Sequence, residues 1–105
     1  MLFSIMVPAP SAHEIQRRLS EHMRELRSRY GVRRLGLFGS WIRGEASVAS
    51  DVDVLVEFER PTFDRYMDLK FFLEELLGCP VDLVTRDALK PRVRPEVERE
   101  AVHVT

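Results

Sequence analysis

The sequence has very little cysteine. Cys79 is the only one among 105 residues, so neither a disulfide framework nor a thiolate zinc site can form within the chain. Chains without disulfides are typical of a reducing compartment, and we therefore expect a cytoplasmic protein. Because Cys79 stands next to a proline in an apolar segment, we interpret it as a small buried filler.

An excess of charge of one sign is also lacking. The 16 Lys and Arg residues nearly balance the 17 Asp and Glu residues, which gives a net charge of −1. Nucleic-acid binding is usually driven by a basic field, so direct nucleic-acid binding is not expected. The N-terminal third does contain a cluster of arginines, namely Arg17, Arg18, Arg24, Arg27, Arg29, Arg33 and Arg34. We interpret this cluster as a solvated helix face, or alternatively as a surface for an acidic partner or for RNA bound by that partner.

Long apolar runs are missing as well. The apolar stretch within residues 1–10 is far too short to cross a bilayer and no basic residue precedes it, so we expect neither a membrane anchor nor a signal peptide. We interpret residues 1–10 as a mobile leader. Histidine is sparse, and a helix would place His13 and His22 on opposite faces, where they cannot share a metal ion.

Hydrophobic periodicity predicts the helices. Ser11 begins a capping-box spacing, and apolar residues then recur every three or four positions, which predicts one helix from about Ser11 to Tyr30, ended by Gly31. A second helix is predicted over about 64–77 as the crossover between two strands. We interpret its aromatic residues Phe63, Tyr66, Phe71 and Phe72 as core and partner contacts rather than a base-stacking platform. The elements predicted near the end are a short helix near 96–100 and an edge strand over 101–104.

Two aspartates stand at the start of a predicted strand. The segment 52–58 alternates and is rich in β-branched residues, which predicts a strand with Asp51 and Asp53 on the same face. Two residues of strand separate their Cβ atoms by about 7 Å. Both carboxylates could therefore hold a pair of Mg²⁺ ions, as in two-metal phosphoryl and nucleotidyl transfer. Alternatively, Asp51 caps the preceding turn and Asp53 is solvated.

A glycine turn precedes these acids. A short buried strand is predicted over 34–38, and Gly39 and Ser40 follow it directly, before a segment that can start a helix. Such a turn exposes backbone N–H groups toward an anion. Ser40 could add a hydroxyl donor, and Arg43 projects back toward the same place, where its planar guanidinium suits phosphate oxygens. The alternative is an ordinary β-turn followed by a surface arginine.

A third aspartate lies within an apolar strand. A strand is predicted over 81–85, and Asp82 is the only charged residue between Pro80 and Arg86. An acid in such a strand is expensive to bury unless it is paired or bound to a metal. If this strand lies beside the Asp53 strand, Asp82 can complete the metal site and act as base for an incoming hydroxyl. Otherwise it is an edge-strand residue that faces water.

The order of these motifs resembles that of a known superfamily. A strand, G-S-x-x-R-G, S-D-x-D, a helix and an aspartate-bearing strand resemble the DNA polymerase β-like nucleotidyltransferases. More narrowly, they resemble the minimal nucleotidyltransferases (MNT) that act as antitoxins beside HEPN ribonuclease toxins. The resemblance runs from about Ser11 to the C-terminus. The positions that match the family's motifs are Gly39, Ser40, Arg43, Gly44, Ser50, Asp51, Asp53 and Asp82. Ile42 departs from the pattern, because the family usually has a small Ala there.

The resemblance implies an α+β fold, in which a polymerase β-like nucleotidyltransferase core over residues 11–105 has a small mixed sheet flanked by helices on one side. It also implies Mg²⁺-dependent transfer of AMP from ATP to a tyrosine of a HEPN toxin, which neutralises the toxin. Asp51, Asp53 and Asp82 are then the catalytic residues and the ligands of two Mg²⁺ ions. The residues expected to bind the nucleotide are Gly39, Ser40, Arg43 and Ser50.

The length of the chain limits how it can bind the acceptor of the nucleotide. A chain of 105 residues has room for one domain, and fewer than 25 residues follow Asp82. We therefore expect the acceptor to bring its own binding surface, which favours a protein partner or self-association, as a homo- or hetero-oligomer. Two other functions stay open. One is a catalytically weak binding module that neutralises a toxin by complex formation, and the other is nucleotidyl transfer to a small molecule or an RNA end.

Overall fold

Two helices, rather than the single one predicted, form the N-terminal part of the fold. The computed structural model describes residues 11–43 and 51–104, so the expected leader over 1–10 lies outside the described residues. Helix α1 covers Ala12–Glu21 and helix α2 covers Met23–Tyr30. The oxygen of the Ser11 side chain accepts a hydrogen bond of 3.1 Å from the Glu14 N–H, as the capping-box spacing predicts.

The prediction of one continuous helix is wrong at His22. In an unbroken helix the backbone N–H of His22 would bond to the Arg18 carbonyl four residues earlier. Here the imidazole Nδ1 takes that carbonyl, at 2.8 Å, and the backbone N–H donates to the Leu19 carbonyl instead. The apolar stripe continues across the break, because its residues are all buried: Ile15, Leu19, Met23, Leu26 and Tyr30.

A four-stranded mixed sheet forms the other layer. Strand β1 (Val32–Phe38) pairs antiparallel with β2 (Val52–Phe58) and with β4 (Val102–Val104), whereas β2 pairs parallel with β3 (Val81–Thr85). The strand order is β3-β2-β1-β4, so β3 and β4 are the edge strands. The predicted α+β fold with a mixed sheet is confirmed, and so is the predicted edge strand near the end of the chain.

The core lies between the helices and one face of this sheet. The residues that β2 contributes to it are Val52, Val54, Val56 and Phe58, as the alternation predicts. The one-turn helix α3 (Ser40–Arg43) follows β1, and helix α4 (Phe63–Leu77) connects β2 to β3 and buries Leu69, Leu73 and Leu77. Of its aromatic residues, Phe72 packs against the core, whereas Phe63 and Phe71 are exposed.

Left-handed glycines end two of the helices. Gly31 after α2 has φ 69°, and Gly78 after α4 has φ 71°. Each backbone N–H bonds to a carbonyl of the last turn, from Gly31 to Leu26 and from Gly78 to Glu74. Side chains disfavour this conformation, so glycine at these positions fixes where the helices stop. Both predicted helix ends are confirmed.

The last part of the chain returns to the sheet through two short helices. A 3-10 helix over Arg86–Ala88 follows β3, and helix α5 covers Arg94–Glu100, two residues earlier at its start than predicted. Helix α5 contributes no buried residue. Its contacts include ion pairs from Glu98 to Arg86 and from Glu100 to Arg43. Within the part of the chain that the structure describes, no helix is long and apolar enough to cross a membrane.

Candidate active site

Gly39 brings the end of β1 against a carboxylate of β2. Its φ is +80°, and its carbonyl accepts the N–H groups of Ile42 and Arg43, each at 3.1 Å, at the start of helix α3 (Ser40–Arg43). A Cβ atom at this position would lie 2.0 Å from Oδ2 of Asp53. Only glycine allows so close an approach of backbone to carboxylate. The predicted sequence of strand, glycine turn and helix is confirmed.

Helix α3 is a single turn that is anchored in the core. Trp41 is 7% exposed and belongs to the core cluster, and Ile42 packs against that cluster. The departure from the family's small Ala at position 42 is therefore accommodated by packing on the core. Burial of these two side chains fixes the direction in which α3 leaves the glycine turn. Sequence reasoning did not assign this role to Trp41, although a lone tryptophan next to a glycine motif is a usable signal.

The register of β2 and β3 places Asp53 directly opposite Asp82. The charges of Asp82 and of Asp51, just before β2, both reach Asp53. Burial contributes most, and together with the charges of Asp82 and Asp51 it raises the pKa of Asp53 from 3.8 to about 6, while the charge of Arg43 opposes the shift. The structure thus places Asp53 opposite Asp82, and Asp51 lies close enough for its charge to act on Asp53.

These acids suit a divalent cation that arrives with a substrate. In the described ranges, 11–43 and 51–104, no three His, Cys, Asp or Glu side chains form a metal site on their own. Mg²⁺ does not require three protein ligands, because it is usually held by one or two carboxylates together with substrate phosphates. A cation between Asp53 and its neighbours would also offset the repulsion that raises the pKa of Asp53. The donor set therefore fits Mg²⁺.

Helix α4 fixes the backbone on both sides of Asp82. The Val81 N–H donates to Oε2 of Glu74 at 3.0 Å, and the Tyr66 hydroxyl donates to the Leu83 carbonyl at 2.6 Å. Because β3 is an edge strand, the backbone N–H and C=O groups on its outer side would otherwise be left to solvent. Two side chains of α4 thus hold the strand that presents Asp82. Neither contact could be predicted from the sequence, since each depends on how α4 packs beside β3.

Arg43 lies between the acids and the C-terminal helix. Its Nη1 donates a hydrogen bond of 2.7 Å to Oε1 of Glu100, the last residue of α5. Its charge lowers the pKa of Asp53, so the guanidinium also acts on the acid site. The structure therefore places Arg43 within electrostatic reach of Asp53. The pairing of Arg43 with Glu100 was not predicted, because these two residues are far apart in the sequence.

Several predicted site residues are only partly described. Ser40 begins α3, but its side chain is outside the description. Gly44 and Ser50 lie outside the described residues. Nucleotide binding by Gly39, Ser40, Arg43 and Ser50, and catalysis and metal binding by Asp51, Asp53 and Asp82, stay predictions.

The arginine cluster is largely an exposed, ion-paired surface. The ion pairs on the helices are Arg17–Glu21, Arg18–Glu14 and Arg29–Glu25, and Glu57 faces both Arg33 and Arg34. This agrees with the interpretation as a solvated face. Cys79 is half-buried, and burial raises the pKa of its thiol above the ordinary value, so the thiolate is disfavoured.

The chain belongs to the nucleotidyltransferase domain family, whose model matches residues 19–104. The prediction of a nucleotidyltransferase is confirmed at this level, and its substrate is accordingly a nucleoside triphosphate. The protein adenylyltransferase MntA of Thermococcus cleftensis is 49% identical over 92 residues, which cover 87% of this chain and 93% of that protein. The resemblance to minimal nucleotidyltransferases thus extends over nearly the whole of both chains.

Solved structures agree with this assignment. The structure of a proposed minimal nucleotidyltransferase has 40% sequence identity and a TM-score of 0.75, and the match covers 94% of this chain and 98% of that one. A complex of tri-AMPylated Shewanella oneidensis HEPN toxin with MNT antitoxin matches with a TM-score of 0.61, covering 86% and 71% of the two chains. Its identity is 18%, so it supports the fold alone.

Proposed function

We propose that this chain transfers AMP from ATP to a tyrosine of a HEPN toxin in a Mg²⁺-dependent reaction, and so neutralises the toxin. The observation that carries the proposal is the placement of Asp53 opposite Asp82 and against the Gly39 turn. Clustered carboxylates are costly to a fold without a cation. Such a cluster next to a glycine turn suits a nucleotide that is bound as its metal complex.

The relatives support this choice of substrate and acceptor. A protein with 49% identity is a protein adenylyltransferase, which modifies proteins with AMP. A structural neighbour is an MNT antitoxin bound to an AMPylated HEPN toxin. We extend both properties to this chain as part of the proposal. The single cysteine agrees with action in a reducing cytoplasm.

Each residue of the site has a role in the proposed reaction. Asp51, Asp53 and Asp82 would hold Mg²⁺, which when bound neutralises phosphate charge and makes the α-phosphorus more electrophilic. The turn at Gly39 and Ser40 and the guanidinium of Arg43 bind the outer phosphates. Ser50, which directly precedes the first acid, is assigned to nucleotide binding on the motif alone.

The transfer itself is a single displacement at the α-phosphorus. The Oη atom of the acceptor tyrosine forms the new bond to phosphorus, and Asp82 accepts the phenolic proton. The bond between the α-phosphorus and the oxygen that bridges to the β-phosphate breaks. Pyrophosphate leaves with the electron pair of that bond. Asp82 is suited to the base role because it is exposed on an edge strand, where a protein acceptor can reach it.

The test combines labelled ATP, Mg²⁺ and a HEPN toxin. We expect label on a toxin tyrosine and loss of the ribonuclease activity with the wild type. Neither should occur with the Asp51→Asn/Asp53→Asn double variant. Asp87→Asn is the matched control, because Asp87 is an exposed aspartate on the 3-10 helix and should leave transfer unchanged.

Two outcomes would contradict the proposal. Neutralisation by the double variant without any labelling would make the chain a binding module that acts by covering the toxin. Label on an RNA end or on a small molecule, with the toxin unlabelled, would keep the nucleotidyltransferase chemistry and replace the acceptor.

A further inference from the structure

Two ion pairs join helix α5 to the rest of the fold. Glu98 pairs with Arg86, which follows β3, and Glu100 pairs with Arg43, the last residue of α3. Since α5 buries no residue, these pairs are prominent among its contacts. The two pairs differ in position. Arg43 influences the charge state of Asp53, whereas Arg86 follows the C-terminal end of β3, and Asp82 lies near the other end of that strand. The second pair can therefore serve as a control for the first.

Glu100 is held firmly by the chain on its C-terminal side. The N–H of Ala101 donates to the Val97 carbonyl at 2.9 Å, and β4 begins directly afterwards with Val102 opposite Leu37 of β1. Gly36 of β1 lies close to this point, because a Cβ atom there would be 3.4 Å from the Cβ of Ala101. The Glu100 side chain is 27% exposed, so it projects from a fixed backbone into a half-buried environment.

The Arg43 side chain gains order from such a support. It is 50% exposed, and a long arginine side chain loses much rotamer freedom when it binds a ligand. The pair with Glu100 uses Nη1, and the planar guanidinium has further donors in a fixed fork. A carboxylate that holds one edge of the guanidinium therefore orders the side chain before phosphate oxygens reach the other donors.

We propose that Glu100 is a positioning residue that orients Arg43 toward the phosphates of the bound nucleotide. The inference rests on the proposed function, in that Arg43 is taken as a phosphate ligand. It connects the C-terminal helix to nucleotide affinity, although no residue of that helix belongs to the family's motifs. Glu100 itself does not touch the nucleotide in this proposal.

Equilibrium binding of ATP with Mg²⁺ tests the proposal without any acceptor. Glu100→Gln should weaken ATP binding about fivefold, the upper end of what a partly exposed ion pair contributes. Glu98→Gln, the matched change on the same helix, should leave the affinity within about twofold. In turnover assays with an acceptor, Glu100→Gln should raise the KM for ATP and leave kcat nearly unchanged. Thermal unfolding of both variants shows whether each is folded.

A double-mutant cycle separates positioning from general structural support. If Glu100 acts through Arg43, then Glu100→Gln has no further effect on ATP binding in an Arg43→Ala background. A loss of the same size in that background would overturn the proposal. Equal losses in Glu100→Gln and Glu98→Gln would overturn it too, because they would report only the docking of α5.

Three further outcomes are informative, one about the sign of the effect and two about the proposed function. Tighter ATP binding by Glu100→Gln would mean that the carboxylate competes with phosphate for Arg43, which contradicts positioning. No ATP binding by the wild type would overturn both the positioning role and the proposed function. ATP binding that depends on Glu100, combined with no transfer to a HEPN toxin, would uphold the positioning role and reject only the acceptor.

Discussion

Replacement of Asp53 by asparagine should make the metal-free protein more stable while it removes activity. In the wild type, burial and the charges of Asp82 and Asp51 raise the pKa of Asp53 from 3.8 to about 6. The folded state therefore disfavours the ionised carboxylate at neutral pH. Asparagine has no charge, and its amide N–H groups can donate to a neighbouring carboxylate.

The pKa shift sets the size of the effect. A difference of about two pKa units corresponds to about 3 kcal/mol for a group shielded from water. Asp53 is only half-buried, and solvent screens its interactions, so we expect a gain of about 1 kcal/mol in the free energy of unfolding. For a domain of this size such a gain raises the Tm by about 4–8 °C.

The pH dependence has a defined sign. Because the folded pKa is above the unfolded one, the contribution of Asp53 to stability is fully present below pH 3.8 and is lost as the pH rises through about 6. The advantage of Asp53→Asn over the wild type should therefore be complete above pH 6 and should shrink toward pH 3.8. Other carboxylates titrate in this range, so the difference between the two proteins is the quantity to compare.

Urea unfolding followed by circular dichroism, with EDTA present, measures this difference. Asp87→Asn serves as the control, and it should not stabilise the protein. Two results would contradict this expectation, namely that Asp53→Asn is no more stable than the wild type above pH 6, or that its advantage is the same at every pH. Either result would mean that burial and the neighbouring acids do not disfavour the ionised Asp53 carboxylate in the folded protein.

Two other substitutions test how the site is held. Gly39→Ala should lower the free energy of unfolding in urea by more than about 2 kcal/mol, because it adds a clash with Asp53 to the strain of a positive φ. Gly78→Ala is the control, with a similar φ and no atom within 4 Å of the new Cβ, and it should cost about 1 kcal/mol. Equal losses in the two variants would contradict the role of the carboxylate. Tyr66→Phe should lower the free energy of unfolding by about 1 kcal/mol through the lost hydrogen bond to the Leu83 carbonyl. Steady-state kinetics should show a lower kcat with a nearly unchanged KM for ATP. Unaltered kinetics would mean that this hydrogen bond does not help to place β3 for the reaction.

Much of the fold follows from local patterns. The alternation over 52–58 and the glycines at 31 and 78 each act within one element, so they predict the strand face and the helix ends correctly. His22 shows the limit of such patterns. The apolar stripe continues through it without interruption, and only the bond from its imidazole to the Arg18 carbonyl breaks the helix.

The candidate site likewise has a part that local patterns predict and a part that they do not. Asp82 could be singled out because a lone acid in an apolar strand is unusual, and the parallel pairing with β2 then places it opposite Asp53. The partners that hold the site could not be predicted. Glu74, Tyr66 and Glu100 are ordinary residues on helix surfaces, and their contacts arise only from the packing of helices beside the sheet.

The acids around Asp53 are expected to bind a divalent cation together with ATP. Isothermal titration of ATP into the protein, once with Mg²⁺ and once with EDTA, measures this dependence. We expect binding only with Mg²⁺, and its loss in the Asp51→Asn/Asp53→Asn variant but not in Asp87→Asn. Equal binding of ATP by the double variant and the wild type would mean that these acids do not hold the cation.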